Sequence, residues 1–426
     1  MKKREYQQLG EVLYVETLEN GLSIFVFPKE GYQKNFAFFA TNYGGMDTRY
    51  RWKDQWQDTP LGVAHFLEHK MFDTKDGNAL QTLTGNGASP NAFTGSALTG
   101  YYFEGTDGFE ENLKTLLGFV SEGYFTQESV DKEQGIIGQE IQMIEDNPGW
   151  QAYTKLMAAL YQHHPVRHSV AGSKESIAQI TAETLYQCHE AFYNPGNMVL
   201  CVAGEIDPKR VADIAREILP KSPGSAVERD YGEKEPEAVH AAKIEIPMEV
   251  SAPILQWGVK LPTAPKGQDS LRQKLLGDLL CEAWMGQSSP LYADLYEKGL
   301  ISGDFFAGYE SMEGCAFLIA GGESKNPEAV RNALLAEAKR LAQEGIDEGL
   351  FQRLKKAAYG NQVRAMNSFE NLCIEQARAY FAGEELWRFP EVYATIEKSH
   401  LQQALKAWII EPHTAMVVVH PKEADS

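Results

Sequence analysis

The sequence is poor in cysteine and in positive charge, and it has no long apolar run. Its five cysteines, Cys188, Cys201, Cys281, Cys315 and Cys373, are odd in number and widely spaced, with no CxxC pair. That spacing excludes a disulfide framework or a zinc ribbon and fits reduced thiols in a cytosolic protein. Lys and Arg number 40 against 59 Asp and Glu, a formal charge of -19. An acidic surface repels phosphate backbones and anionic lipid, so neither nucleic acid nor a membrane is an expected partner; small basic peptides would be attracted. The longest apolar runs, at residues 35–40 and 198–203, are strand-length and far short of the ~18 residues a membrane span needs. The basic start MKKREYQQLG leads into no apolar segment, so no secretory signal is expected.

What is present is ordinary globular material, 43% hydrophobic and 23% charged over 426 residues. That is enough for two or three domains with cores of their own. ETLENGLSIFVFPKEG and NFAFFATNYGG read as β-rich runs bounded by turn residues. Helical stretches follow, including a long one from about Gln127 to Asn147 that should stop before Pro148. NMVLCVAGEID closes the first half as a buried strand. Residues 220–242, rich in Pro, Gly, Lys and Glu, read as a linker. The plan then repeats: IEIPMEVSAPILQWGVKLP as strands, helices after it, and TAMVVVHP echoing NMVLCVAG. The expected fold class is α+β. Two tandem homologous domains, 1–219 and 243–426, would each form a mainly antiparallel sheet packed by helices.

The segment LGVAHFLEHKMF holds His65, Glu68 and His69. Residues four apart share a helix face, ~5–6 Å apart at Cβ, and two imidazoles so placed can share one zinc ion. Glu68 falls beside them and can take a proton from a metal-bound water; this is the inverted zinc motif H-x-x-E-H. The bland alternative is an amphipathic helix with two incidental histidines. A catalytic zinc needs a third protein ligand and an open position. The helix VDKEQGIIGQEIQMIEDNPGW offers Glu133 and Glu140, two turns apart on one face, with Ile136, Ile137, Ile141 and Ile144 expected to pack it.

H-x-x-E-H followed some seventy residues later by E-x6-E resembles the pitrilysin/insulinase family of zinc peptidases. GASPNAFTGSALTGYYFEG resembles the family's substrate-binding edge strand, and HPVRHSVAGSKESIAQIT and FYNPGNMVLCVAGEID resemble further family blocks. The resemblance implies that His65, His69 and Glu140 bind zinc, that Glu68 is the general base, and that Glu133 is a second carboxylate supporting the site. It also implies that Asn91, Ala92, Phe93 and Thr94 belong to the strand that receives a peptide as an added β-strand. Zinc would make a water acidic near neutrality and polarise the scissile carbonyl, and Glu68 would carry the proton to the leaving amine. Full-length family members carry four such domains in a clamshell, so this chain would be half of one. It would then pair with itself or with a related subunit lacking zinc ligands.

One departure stands out. The family's second-half Arg and Tyr are replaced in LYEKGLISGDF, where Tyr296 and Ser302 stand at or near their places. A zinc-binding subunit that acts as a scaffold or peptide-binding partner is therefore a second expectation. His163, His164 and His168 lie close together in a Pro-interrupted stretch, and no second metal site is expected there.

Overall fold

The computed structural model describes residues 1–264 and 266–422. The first half builds a seven-stranded sheet from β1 (Lys2–Tyr6), β2 (Glu11–Thr17), β3 (Ser23–Pro28), β4 (Asn35–Thr41), β5 (Ser89–Thr94), β6 (Thr99–Gly105) and β7 (Met198–Gly204). Its order is β1-β2-β3-β7-β4-β6-β5, with only β3 and β7 parallel. The apolar runs expected to be strands become β4 and β7, buried along their whole length at the sheet centre. The second half builds a five-stranded sheet from β8 (Lys243–Met248), β9 (Ile254–Lys260), β10 (Phe306–Met312), β11 (Cys315–Glu323) and β12 (Thr414–Pro421), in the order β8-β12-β9-β11-β10. Here too only the first and last strands, β8 and β12, run parallel.

Strands β3, β4, β5, β6 and β7 thus have counterparts in β8, β9, β10, β11 and β12, in the same spatial order and orientation. The echo of NMVLCVAG in TAMVVVHP is two copies of one central strand. Local sequence is nearly free to diverge under such a repeat; the pairing scheme is not. The two-domain α+β reading holds.

The helices that position the site are α1 (Val63–Met71) and α2 (Gln127–Asp146); α3 (Pro148–Leu160) and α4 (Phe369–Ala382) matter for the domains. The long helix ends before Pro148, as expected. The compact units do not follow a single cut through the chain. One comprises residues 1–141, 169–231 and 363–381; the other comprises 142–168, 232–362 and 382–426. In the first unit α4 lays Tyr380 against Phe25 of β3 and Phe369 against Tyr32, with ring centroids 5.6 and 5.3 Å apart. In the second, α3 packs on β9 and β12 and puts Leu156 and Leu160 against Gly258. Apolar faces of helices went to whichever sheet could bury them, and sequence order did not decide it.

The stretch expected to be a linker passes from the first unit to the second at residues 231 and 232 and makes specific contacts in each, as a strap. Its first part pairs with residues 49–51 through backbone hydrogen bonds from Arg51 to Glu228 and from Asp230 to Arg49. Arg229 forms a buried ion pair with Asp47 at 2.9 Å. In the second unit Glu235 accepts hydrogen bonds from the Gln162, His163 and His164 amides and from Lys260. Composition did not reveal these contacts, because each charge looks solvated until its partner, far off in sequence, is known.

Candidate metal centre

Helix α1 starts at Gly62, whose φ of 92° belongs to the left-handed region. A Cβ there would lie 2.6 Å from the Ala171 carbonyl oxygen, so both conformation and space call for glycine. Val63, Ala64, Phe66, Leu67 and Met71 then face the core. That fixes the helix about its axis and leaves His65, Glu68 and His69 on the remaining face. The two imidazoles stand with centroids 4.7 Å apart.

Helix α2 brings the carboxylates. Val130, Ile137 and Ile141 are buried and anchor it, and Glu133 and Glu140 project together towards α1. One apolar expectation fails: Ile136 is 49% exposed. It lies four residues before Glu140, so it shares the open face of the helix and cannot reach the core.

Glu140 stands between the histidines. Its Oε1 is 3.4 Å from His65 Nε2 and its Oε2 is 3.5 Å from His69 Nε2. Donor atoms of all three residues fall within 4.8 Å of one another, and among the described residues no other group of His, Cys, Asp or Glu does so. A tetrahedral zinc with bonds of ~2.0–2.1 Å separates its donors by about 3.4 Å. The His/His/Glu set therefore has both the chemistry and the spacing for zinc with one position left open.

The charges around the group are paired. Glu133 Oε1 lies 3.2 Å from Nδ1 of His69. Burial works against charge on His69, but the Glu133 hydrogen bond and the nearby Glu68 and Glu140 outweigh it and hold its pKa above the ordinary value. Glu133 is held below the usual carboxylate range, chiefly by His69 and also by Lys70. The hydrogen bond with His65 does the same for Glu140.

Glu68 is 9% exposed, and its Oε2 accepts a hydrogen bond from the Thr94 hydroxyl at 2.6 Å. Thr94 ends β5, the edge strand of the sheet. On the same strand Asn91 Oδ1 accepts from the Ala92 amide at 2.9 Å, and the Phe93 ring stacks on Phe38 with centroids 5.9 Å apart. Asn91 pairs across the ladder with Tyr102, against which α4 sets Glu370; burial and that carboxylate raise the Tyr102 pKa.

Two contacts were invisible in the sequence: Lys70, which pairs with Glu133 and Asp73, and the Thr94–Glu68 bond. The Lys70–Glu133 and Thr94–Glu68 contacts join residues distant in the chain, and the only local signal was the Lys inside HFLEHK. Elsewhere, Tyr296 is 54% exposed and the Ser302 hydroxyl bonds Asp304. His164 is committed to structure, its Nε2 3.0 Å from the Glu313 carbonyl and its Nδ1 accepting from the Val166 amide. All five cysteines are free and buried, and no described helix is long and apolar enough to cross a membrane.

The His/His/Glu group beside Glu68 is a candidate zinc site, and comparison with known proteins places the chain in a family whose members are named zinc proteases. Residues 56–174 match the insulinase (peptidase family M16) domain and residues 179–358 the peptidase M16 inactive domain. The chain belongs to the insulinase family, peptidase family M16. It is 38% identical over 428 residues to the uncharacterized zinc protease YmfH of Bacillus subtilis (strain 168), covering 99% of this chain and 100% of that one. The crystal structure of an M16-like peptidase from Alicyclobacillus acidocaldarius superposes with a TM-score of 0.93 at 31% identity, over 97% of this chain and 99% of the other. The first half of the periplasmic protease PqqL from Escherichia coli gives 0.73 at 19% identity, over 98% and 92%, a likeness of fold alone.

Proposed function

We propose that the chain is the zinc-bearing subunit of a metallo-endopeptidase that cleaves unfolded peptides inside a chamber formed by two such chains. The convergence of His65, His69 and Glu140 beside Glu68, next to an open sheet edge, carries this reading. Zinc, when bound, supplies a Lewis acid that makes water acidic near neutrality and polarises a peptide carbonyl. Glu68 takes the proton from water and returns it to the leaving amine. The edge of β5 receives the peptide as an added strand, so main-chain hydrogen bonds accept many sequences. The absence of the Arg/Tyr pair at Tyr296 and Ser302 favours a partner that completes the site, either a second copy or a related subunit without zinc ligands. A net charge of -19 supports peptides over nucleic acid or membrane as partners, and the reduced-thiol pattern supports a cytoplasmic location.

A scaffold subunit that binds zinc or peptide without turnover is the second reading, favoured by the same missing pair. Zinc content by mass spectrometry and cleavage of a quenched-fluorescent peptide library separate the two. Zinc-dependent cleavage, alone or with a related subunit, that Glu68→Gln abolishes while zinc stays bound is the expected result. Stoichiometric zinc with no turnover in any pairing would leave the scaffold. If Glu140→Ala keeps its zinc, the third ligand is misassigned.

A further inference from the structure

Lys70 directly follows a zinc-site histidine, yet it is 3% exposed. Removing an ammonium from water costs several kcal/mol unless anions meet it. Here two do: the Asp73 carboxylate, in close contact, and Glu133 Oε2 at 3.4 Å. The other oxygen of Glu133 lies 3.2 Å from His69 Nδ1. Asp73, Lys70, Glu133 and His69 form one chain of alternating charge that ends on the imidazole opposite its metal-facing nitrogen.

The other histidine has no such support. Nδ1 of His65 is buried without a hydrogen-bond partner among the described residues. Without Lys70, Glu133 would be a half-buried anion with less to hold it against His69. A lysine is suited to this task, because its compact charge can sit between two carboxylates and needs no fixed fork.

We propose that Lys70 is a positioning residue of the metal centre: it pins Glu133 against His69, and so orients that ligand and sets the zinc affinity without touching the metal. The proposal rests on the zinc reading but not on peptidase activity, so the test is metal binding. Zinc affinity is measured by competition with a chromophoric chelator for the wild type, Lys70→Met, Glu133→Gln and the double variant, with thermal unfolding of each metal-free form alongside. Lys70→Met should weaken zinc by about 10- to 100-fold, the usual cost of losing such outer support. The double variant should bind no more weakly than Glu133→Gln alone, because Lys70 acts through Glu133.

Unchanged affinity in folded Lys70→Met overturns the proposal. So do losses that multiply in the double variant, since a general structural effect would be independent of Glu133. If Lys70→Met does not fold, Asp73→Asn loosens the same lysine from its other side and should weaken zinc several-fold; no change there is equally fatal. A wild type that takes up no zinc sinks the zinc reading and this proposal together. A wild type that binds zinc no better than Lys70→Met sinks only the proposal.

Discussion

At the scale of single residues, the candidate centre separates the groups that would face a metal from the groups that hold them. The Thr94 hydroxyl donates to Oε2 of Glu68 and so holds that carboxylate in place. Hydrogen bonds to a charged group are worth about 1.5–3 kcal/mol. Thr94→Val should therefore lower kcat about tenfold or more with KM and zinc content little changed, and Thr94→Ser should recover most of the loss. A rise in KM at constant kcat would instead assign Thr94 to substrate contact. His65, Glu68 and His69 were legible because their chemistry is written at helical spacing within one segment. Lys70 and Thr94 were not, because a lysine on a helix and a threonine on a strand each have a bland default that only a distant partner overrides.

At the scale of elements, the strands and the long helix were readable from apolar runs and from Pro148, while the contacts made by residues 220–242, where the chain passes from one unit to the other, were not. Glu235 gives the strap a measurable signature. Burial alone would raise its pKa, but Lys260 and three backbone amides hold it at about 2. The folded protein thus binds its proton more weakly than the unfolded chain does. The resulting stabilisation is complete above the ordinary carboxylate range and disappears as pH falls through about 2. Glu235→Gln should cost on the order of 2 kcal/mol at neutral pH. The gap between variant and wild-type unfolding free energies should close on acidification from about pH 5 towards pH 2. A gap independent of pH would show that the carboxylate's charge is irrelevant. The buried Arg229–Asp47 pair anchors the other end of the strap, and Asp47→Ala should cost ~3–5 kcal/mol by stranding the guanidinium, read as a lowered denaturant midpoint.

At the scale of the whole molecule, the repeat was visible as a recurring plan of strands and helices and an echo between two strands, and the matching strand orders give it substance. Under the proposed function the chain is catalytically incomplete alone. Light scattering and activity should therefore move together: turnover should appear only in samples containing dimer, whether homodimer or a mixture with a related zinc-free subunit. Full turnover by a strict monomer would remove the chamber from the proposal.

The division of the chain among its units has a further consequence, for the order of events during synthesis. The first unit carries the candidate metal centre but draws its packing helix from residues 363–381. Until those residues leave the ribosome, Phe25 and Tyr32 lack the aromatic partners that α4 provides. A nascent chain halted at the strap would hold His65, His69 and Glu140 and still be unable to complete the domain that bears them. Chaperone demand, and exposure to proteases, should therefore persist until residues 363–381 have been made and packed.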